Sequence, residues 1–434
     1  MPLIALVPTQ PRGSTLFAAF LYFDLSFAIW MLFGALGNFV AAEFQLDSWL
    51  KGLLVAVPIL AGSSFRVLLG WAETRFGGKR TALTAIALTA LPLLWGWRAA
   101  RQFWELPLIG LLLGVAGASF AVALPMASRW FPPERQGLVL GLAGAGNSGT
   151  LLATLLGPIL ASRFGWHLVF GLALFPILLA FLTVLALAQD APRTSEAPER
   201  ADRLPQLLRR SDLWVFCLLY SVTFGGFIGF TSFLGIFFFD QYGVGKVSAG
   251  LLQTLAVAAG SLLRPVGGYL ADRIGGREIL SSFLIVATLC CLAASFFPPL
   301  PIAVAVFFVF LGSLGMGNGA VFQLVGARLG PSIGLVAGLI GAAGGFGGFL
   351  LPICLGSLKS TTQSYAPGLL LYAAALALSA AISSADRIPW KRMLRRFVLP
   401  CRIDPPLSLS CRPASGASAP DSRKPSHGNS GSLP

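Results

Sequence analysis

Two arginines carry the chemistry that this sequence states most openly: Arg66 in VPILAGSSFRVLLG (57–70) and Arg264 in SLLRPVGGYLADRIGG (261–276). Each stands nine residues before a second arginine, Arg75 or Arg273, that borders a Gly-Gly pair. At ~1.5 Å of helical rise per residue, Arg66 and Arg264 lie about 13 Å inside the end of their apolar runs. That is close to the middle of a ~30 Å hydrocarbon layer. A guanidinium at such depth costs at least ~2.5–3.5 kcal/mol on insertion scales, so it needs a partner or a watery cavity. One reading is a structural ion pair with a buried acid. Within the apolar runs, however, Asp24 is the one clear acid against two arginines. The favoured reading is therefore an anion that the chain does not itself supply. The planar guanidinium fork suits oxygens lying in one plane, and it stays charged at any physiological pH. A small planar oxyanion such as nitrate, nitrite or a carboxylate would fit between two such forks. Phe120, Tyr220, Phe224 and Phe322 fall on plausible inner faces, where flat rings could sandwich a flat ion. Asp24 is the candidate for proton coupling if it faces the cavity, and a mere pairing partner if it does not. Asn318, in GMGNG, is placed either to hydrogen-bond across helices or to touch a substrate.

The elements that must position these residues are membrane-spanning helices. Hydrophobic residues make up 56% of the 434-residue chain and charged residues 11%, with a mean hydropathy of +0.78. A soluble chain is roughly a quarter charged, and backbone groups in lipid are satisfied only in helices or closed barrels. The apolar runs are continuous rather than alternating, which selects helices. Twelve spans are predicted, near 15–41, 50–72, 81–98, 103–126, 136–162, 166–189, 212–238, 247–271, 279–297, 300–324, 332–357 and 366–386. The polar stretch 190–211 separates a six-helix bundle in 1–189 from another in 212–386, and a basic and then disordered tail occupies 387–434. Lys and Arg concentrate in the loops on one side, which puts both termini in the cytoplasm. The net charge of +14 lies in those loops and the tail, not on one stripe, which argues against nucleic acid as a partner.

The two halves repeat one another. RVLLGWAETRFGGKR (66–80) matches RPVGGYLADRIGGRE (264–278) at Arg66/Arg264, Gly70/Gly268, Arg75/Arg273, Gly77/Gly275 and Gly78/Gly276. GLAGAGNSG (141–149) likewise answers GLIGAAGGFGG (338–348). Parallel repeats with a site between them are a transporter signature. Gly144, Gly146 and Gly149, and Gly344, Gly345, Gly347 and Gly348, let helices approach closely and bend, so they are read as hinge glycines.

The loop pattern, with Glu73 and Arg75 in one half and Asp272 and Arg273 in the other, resembles the cytoplasmic gating motif of the major facilitator superfamily. The first copy departs from it, because Thr74 separates the acid from the arginine. The arginine contexts, AGNSGTLLATLLGP (145–158), GMGNGAVFQLVG (315–326) and GLIGAAGGFGGFLLP (338–352) resemble the nitrate/nitrite porter family of that superfamily over all the spans. The resemblance implies that Arg66 and Arg264 bind the anion and that Asn147 and Tyr220 complete its polar shell. It also implies that Phe120 and Phe322 clamp the ion, and that the glycine-rich fifth and eleventh helices slide and bend as the carrier alternates.

The resulting expectation is an all-α major facilitator fold in the cytoplasmic (inner) membrane that carries nitrate and/or nitrite, most simply by exchange. Proton-coupled nitrate symport and carriage of another small organic anion are the alternatives. A drug or sugar carrier has no need of two central arginines, and a membrane sensor would work through the tail. No nucleophile–base pair or phosphate loop suggests an enzyme. The six cysteines lack metal-ligand spacing, no cofactor is implied, and a single chain suffices, so a monomer is expected.

Overall fold

The computed structural model describes residues 12–131, 145–191, 204–329 and 333–385, and those residues contain helices and no strands. The first rod, Gly13–Glu43, is α1 (Gly13–Trp30) running into α2 (Leu32–Glu43). Then come α3 (Ser48–Phe76), α4 (Gly78–Arg98), and a rod broken into α5 (Glu105–Gly117) and α6 (Phe120–Ser128). A 3-10 turn, Ala145–Ser148, leads into α7 (Gly149–Phe164), followed by α8 (Trp166–Leu172) and α9 (Leu174–Leu187). After the short α10 (Leu204–Leu208) come α11 (Ser211–Tyr242), α12 (Lys246–Leu262) and α13 (Arg264–Ile274). The last four are α14 (Gly276–Ser295), α15 (Leu300–Leu329), α16 (Ile333–Thr362) and α17 (Ala366–Ser384).

Ten rods among the described residues are long and apolar enough to cross a bilayer. The other two expected spans fall on α4 and α7. In α4, Thr81, Thr84, Thr89, Pro92 and the terminal arginines dilute the apolar content. The predicted fifth span begins in residues 132–144, which lie outside the described residues, as do Gly144 and the tail from 386 onward. Leu178, Leu182 and Leu185 on α9 are half-exposed, the apolar outer surface a lipid environment demands.

Turn chemistry sets the ends of these rods. Asp47 caps α3 by accepting the Leu50 N–H at 2.7 Å. Gly77 and Gly275 close α3 and α13 at φ of 96° and 123°, a region open to glycine, and α4 and α14 start at once on Gly78 and Gly276. The repeat seen in the sequence is thus a repeat of backbone geometry. Pro265 accounts for the break between α12 and α13: it offers no N–H to the preceding turn, and Arg264 becomes the first residue of the new segment.

The most extensive helix pairings are α11 with α16 and α16 with α3, and the second of these joins the two halves. Further contacts cross between the halves, among them α7 with α12 and α2 with α11. The described residues up to Ala385 belong to one compact unit.

Candidate functional site

Arg66 is 2% exposed, and its partners are unlike anything a composition count can show. Its Nε donates to the Gly117 carbonyl (3.3 Å), at the break between α5 and α6, and its Nη1 donates to the Gly341 carbonyl on α16 (2.9 Å). Nη2 has no partner among the described residues. The rings of Trp30, Phe120 and Phe224 lie 5.6, 5.7 and 5.2 Å from the guanidinium carbon, within cation–π range. Trp30 is itself fixed by donating Nε1 to the Pro58 carbonyl at 2.7 Å.

Arg264 enters from the other half. Its Nη2 donates to the Tyr220 hydroxyl at 3.3 Å, and the Phe322 ring lies 5.9 Å away. Tyr220 stacks on Phe224 at 4.9 Å and meets Phe322 edge-on at 5.1 Å. Its hydroxyl lies in the fields of both arginines. Phe120 and Phe322 meet across the halves at 6.4 Å. Both rings and Arg264 keep partial exposure, whereas Arg66 and Tyr220 are sealed. Among the described residues neither arginine forms an ion pair; the pairs present are Lys51–Asp240, Arg129–Glu73 and Arg328–Asp212. Carbonyls and a phenol satisfy hydrogens but leave the charge. The chamber therefore holds two guanidinium groups, uncompensated and aromatic-walled, in the shape that an anion would complete.

The structure brings Arg66, Tyr220, Phe120, Arg264 and Phe322 into one chamber. Asn147 lies in the 3-10 turn beside it, 1% exposed, with both amide atoms unpartnered among the described residues. Its carbonyl accepts from Thr150 Oγ1 (2.9 Å), which lies 3.2 Å from Ser261 Oγ, three residues before Arg264. Asp24 meets neither arginine in an ion pair. Its Oδ1 accepts from Ser148 Oγ at 2.6 Å, next to Asn147. The loop residues are elsewhere: Glu73 is buried and takes both Arg129 Nη atoms at 2.5 and 2.9 Å. Arg75 and Asp272 are exposed, and Arg273 rests on Tyr269 at 4.7 Å.

The glycines mark close helix approaches. A Cβ on Gly345 would run into Ser63 of α3, one on Gly347 into the Ser221 carbonyl, and one on Gly149 into the Asp24 carbonyl. Gly344 and Gly146 face the rings of Tyr220 and Phe23, and Gly348 faces Gly225.

Sequence reasoning misses one feature, a tie between the halves at the end away from the Gly-Gly turns. Lys51 Nζ donates to both Asp240 oxygens (2.8 and 3.0 Å), and Tyr365 donates its hydroxyl to Asp240 Oδ2 (2.9 Å). Beside it Gly52 packs on the Pro352 carbonyl and Gly356 on that of Ser48, and Asn38 Nδ2 donates to Gly235 O at 2.8 Å. In the sequence Lys51 reads only as a loop charge.

Paired helical halves around a buried cationic chamber define a membrane carrier, and comparison with known proteins agrees. A family profile described as Major Facilitator Superfamily matches residues 18–352. The chain is 31% identical over 343 residues to the "Nitrite extrusion protein" of Bacillus subtilis, covering 79% of this chain and 86% of that one. It is 34% identical over 357 residues to the "Probable nitrate/nitrite transporter NarK2" of Mycobacterium tuberculosis, with 81% and 90% covered. With the "Probable nitrate/nitrite antiporter NarK1" of Thermus thermophilus it shares 33% over 372 residues, with 79% and 84% covered. A solved bacterial homologue of the human lysosomal transporter Spinster, inward-facing and unoccupied, superposes with a TM-score of 0.69 at 17% identity, covering 89% of this chain and 98% of that one. The chain belongs to the major facilitator superfamily and, within it, to the nitrate/nitrite porters. It is a multi-pass membrane transporter rather than an enzyme.

Proposed function

We propose that this protein carries nitrate and/or nitrite across the cytoplasmic membrane by alternating access, with the anion held between Arg66 and Arg264. The observation that carries this reading is the arginine pair: two guanidinium groups from opposite halves share a buried chamber, and no ion pair answers either one among the described residues. A monovalent oxyanion relieves their mutual repulsion, so it binds the closed chamber more tightly than the open one, and that difference drives occlusion. Asn147 and Tyr220 complete the polar shell, and Phe120 and Phe322 clamp the faces of the ion. Two six-helix bundles, 1–189 and 212–386, rock about this site, with 190–211 as linker and Gly144, Gly146, Gly149, Gly344, Gly345, Gly347 and Gly348 as the bending points. The Gly-Gly loops, with both termini, face the cytoplasm, and one chain is the working unit. An empty carrier retains the repulsion and returns slowly, which favours exchange of nitrate for nitrite. The names of the relatives support the same ions.

The test is anion-dependent thermal stabilisation of the purified protein. Nitrate and nitrite raise the melting temperature of the wild type, and Arg66→Lys and Arg264→Lys abolish both the shift and transport, because an ammonium lacks the planar fork. A wild type indifferent to both anions sinks the reading.

Asp24 supports a second reading, proton-linked uptake. Its buried carboxyl is held by Ser148, beside Asn147, so a proton there would loosen the turn that begins α7. Proteoliposomes without internal anion decide between the two. Uptake driven by an imposed proton gradient and lost in Asp24→Asn establishes symport; uptake that requires internal anion and survives Asp24→Asn establishes exchange.

A further inference from the structure

Asn318 lies on α15 at 1% exposure, and neither its Oδ1 nor its Nδ2 has a partner among the described residues. A primary amide desolvated in this way, with nothing to bond, is costly and rare in native proteins, so its partner is to be sought. Its neighbours fix where it sits. Gly317 lies against Thr223 of α11, three residues from Tyr220. Gly319 lies on the Arg264 carbonyl at the start of α13. Phe322, one turn along the same face, meets Tyr220 at 5.1 Å and Arg264 at 5.9 Å. Asn318 therefore occupies the wedge between α11 and α13 from which the Tyr220 hydroxyl and the Arg264 guanidinium project.

We infer that Asn318, like Asn147 a buried amide without a partner among the described residues, is a further ligand of the transported anion, and that it selects a three-oxygen anion over a two-oxygen one. The inference rests on the oxyanion reading above. Two guanidinium forks can satisfy two oxygens of a planar ion. The third oxygen of nitrate is left for an amide N–H, and nitrite has no atom at that position. A site built to bond a group discriminates against the analogue that lacks it, because its own buried donor is then left dry.

The measurement is the affinity of full-length Asn318→Leu for nitrate and for nitrite by titration calorimetry. Leucine keeps the volume and removes the donor. Nitrate affinity is expected to fall roughly tenfold while nitrite affinity changes little, so the nitrate-to-nitrite ratio collapses. Asn318→Ser, smaller and still polar, reads the same ratio if the leucine variant does not fold. An unchanged ratio, whether both affinities fall together or neither does, overturns the inference and assigns Asn318 to packing. Wild-type protein that binds neither anion overturns the oxyanion reading, and this inference with it.

Discussion

Arg66 donates to two carbonyls on different helices, Gly117 at the end of α5 and Gly341 in α16. A guanidinium tethered in this way is oriented before any ligand arrives, which lowers the ordering cost of binding. The arginine itself was legible in the sequence, because a charge in an apolar run must be answered. Its partners were not, since every residue carries a carbonyl and residue type says nothing about which one is turned inward. Asp24 teaches the same lesson: scarcity of acids singled it out, but its bond to Ser148 depends on a 3-10 turn that no residue pattern announces. Gly345 offers a test at this scale. Its missing Cβ is what admits Ser63, whose hydroxyl bonds the Ile59 carbonyl at 2.8 Å. Gly345→Ala should lower stability by ~1–3 kcal/mol through overpacking and slow transport. Adding Ser63→Gly should restore much of both, as read by melting temperature and uptake rate.

Breaks in helices matter as much as the helices. The break at Leu263 brings Arg264 to the start of α13, and the break after Gly117 offers a carbonyl to Arg66. The first has a legible cause in Pro265. The second has no proline, and only the structure reveals it. Pro265→Ala returns an N–H to the preceding turn and draws α12 and α13 toward one continuous helix, which pulls Arg264 away from Tyr220. The protein should fold with unchanged or higher stability yet bind nitrate at least several-fold more weakly, as calorimetry beside a thermal melt would register. Retained affinity would mean that the break is incidental to the site. The Gly-Gly turns are the opposite case. Glycine pairs directly after an apolar run predicted tight reversals, and Gly77 and Gly275 have the positive φ that only such residues adopt easily.

For the whole molecule, apolar length and the internal repeat made the fold class readable, while contacts between the halves stayed hidden because they join residues far apart in the chain. The tie of Lys51 to Asp240 and Tyr365 belongs to this scale. Its charged partners are only 16% and 13% exposed, so removing one leaves the other's charge desolvated and unpaired. Its leverage, in the rocking motion proposed above, lies in being a contact that one state makes and the other must break. Lys51→Met should shift the population several-fold toward the state open at that end. Labelling of a cysteine introduced near Gly356 would report the shift as faster reaction, and the charge swap Lys51→Asp with Asp240→Lys should reverse it. An unaltered labelling rate in Lys51→Met would make the tie a passive surface pair.

Trp30 gives this carrier a built-in optical gauge. Its indole stands 5.6 Å from the Arg66 guanidinium and is buried where α1 crosses α3 and α5. The emission of an indole responds to the electric field of so near a charge, and an anion arriving at Arg66 changes that field. If the chamber takes the anion proposed above, its filling and emptying should register in the ultraviolet emission of the unlabelled protein, and a Trp30→Phe control isolates that signal.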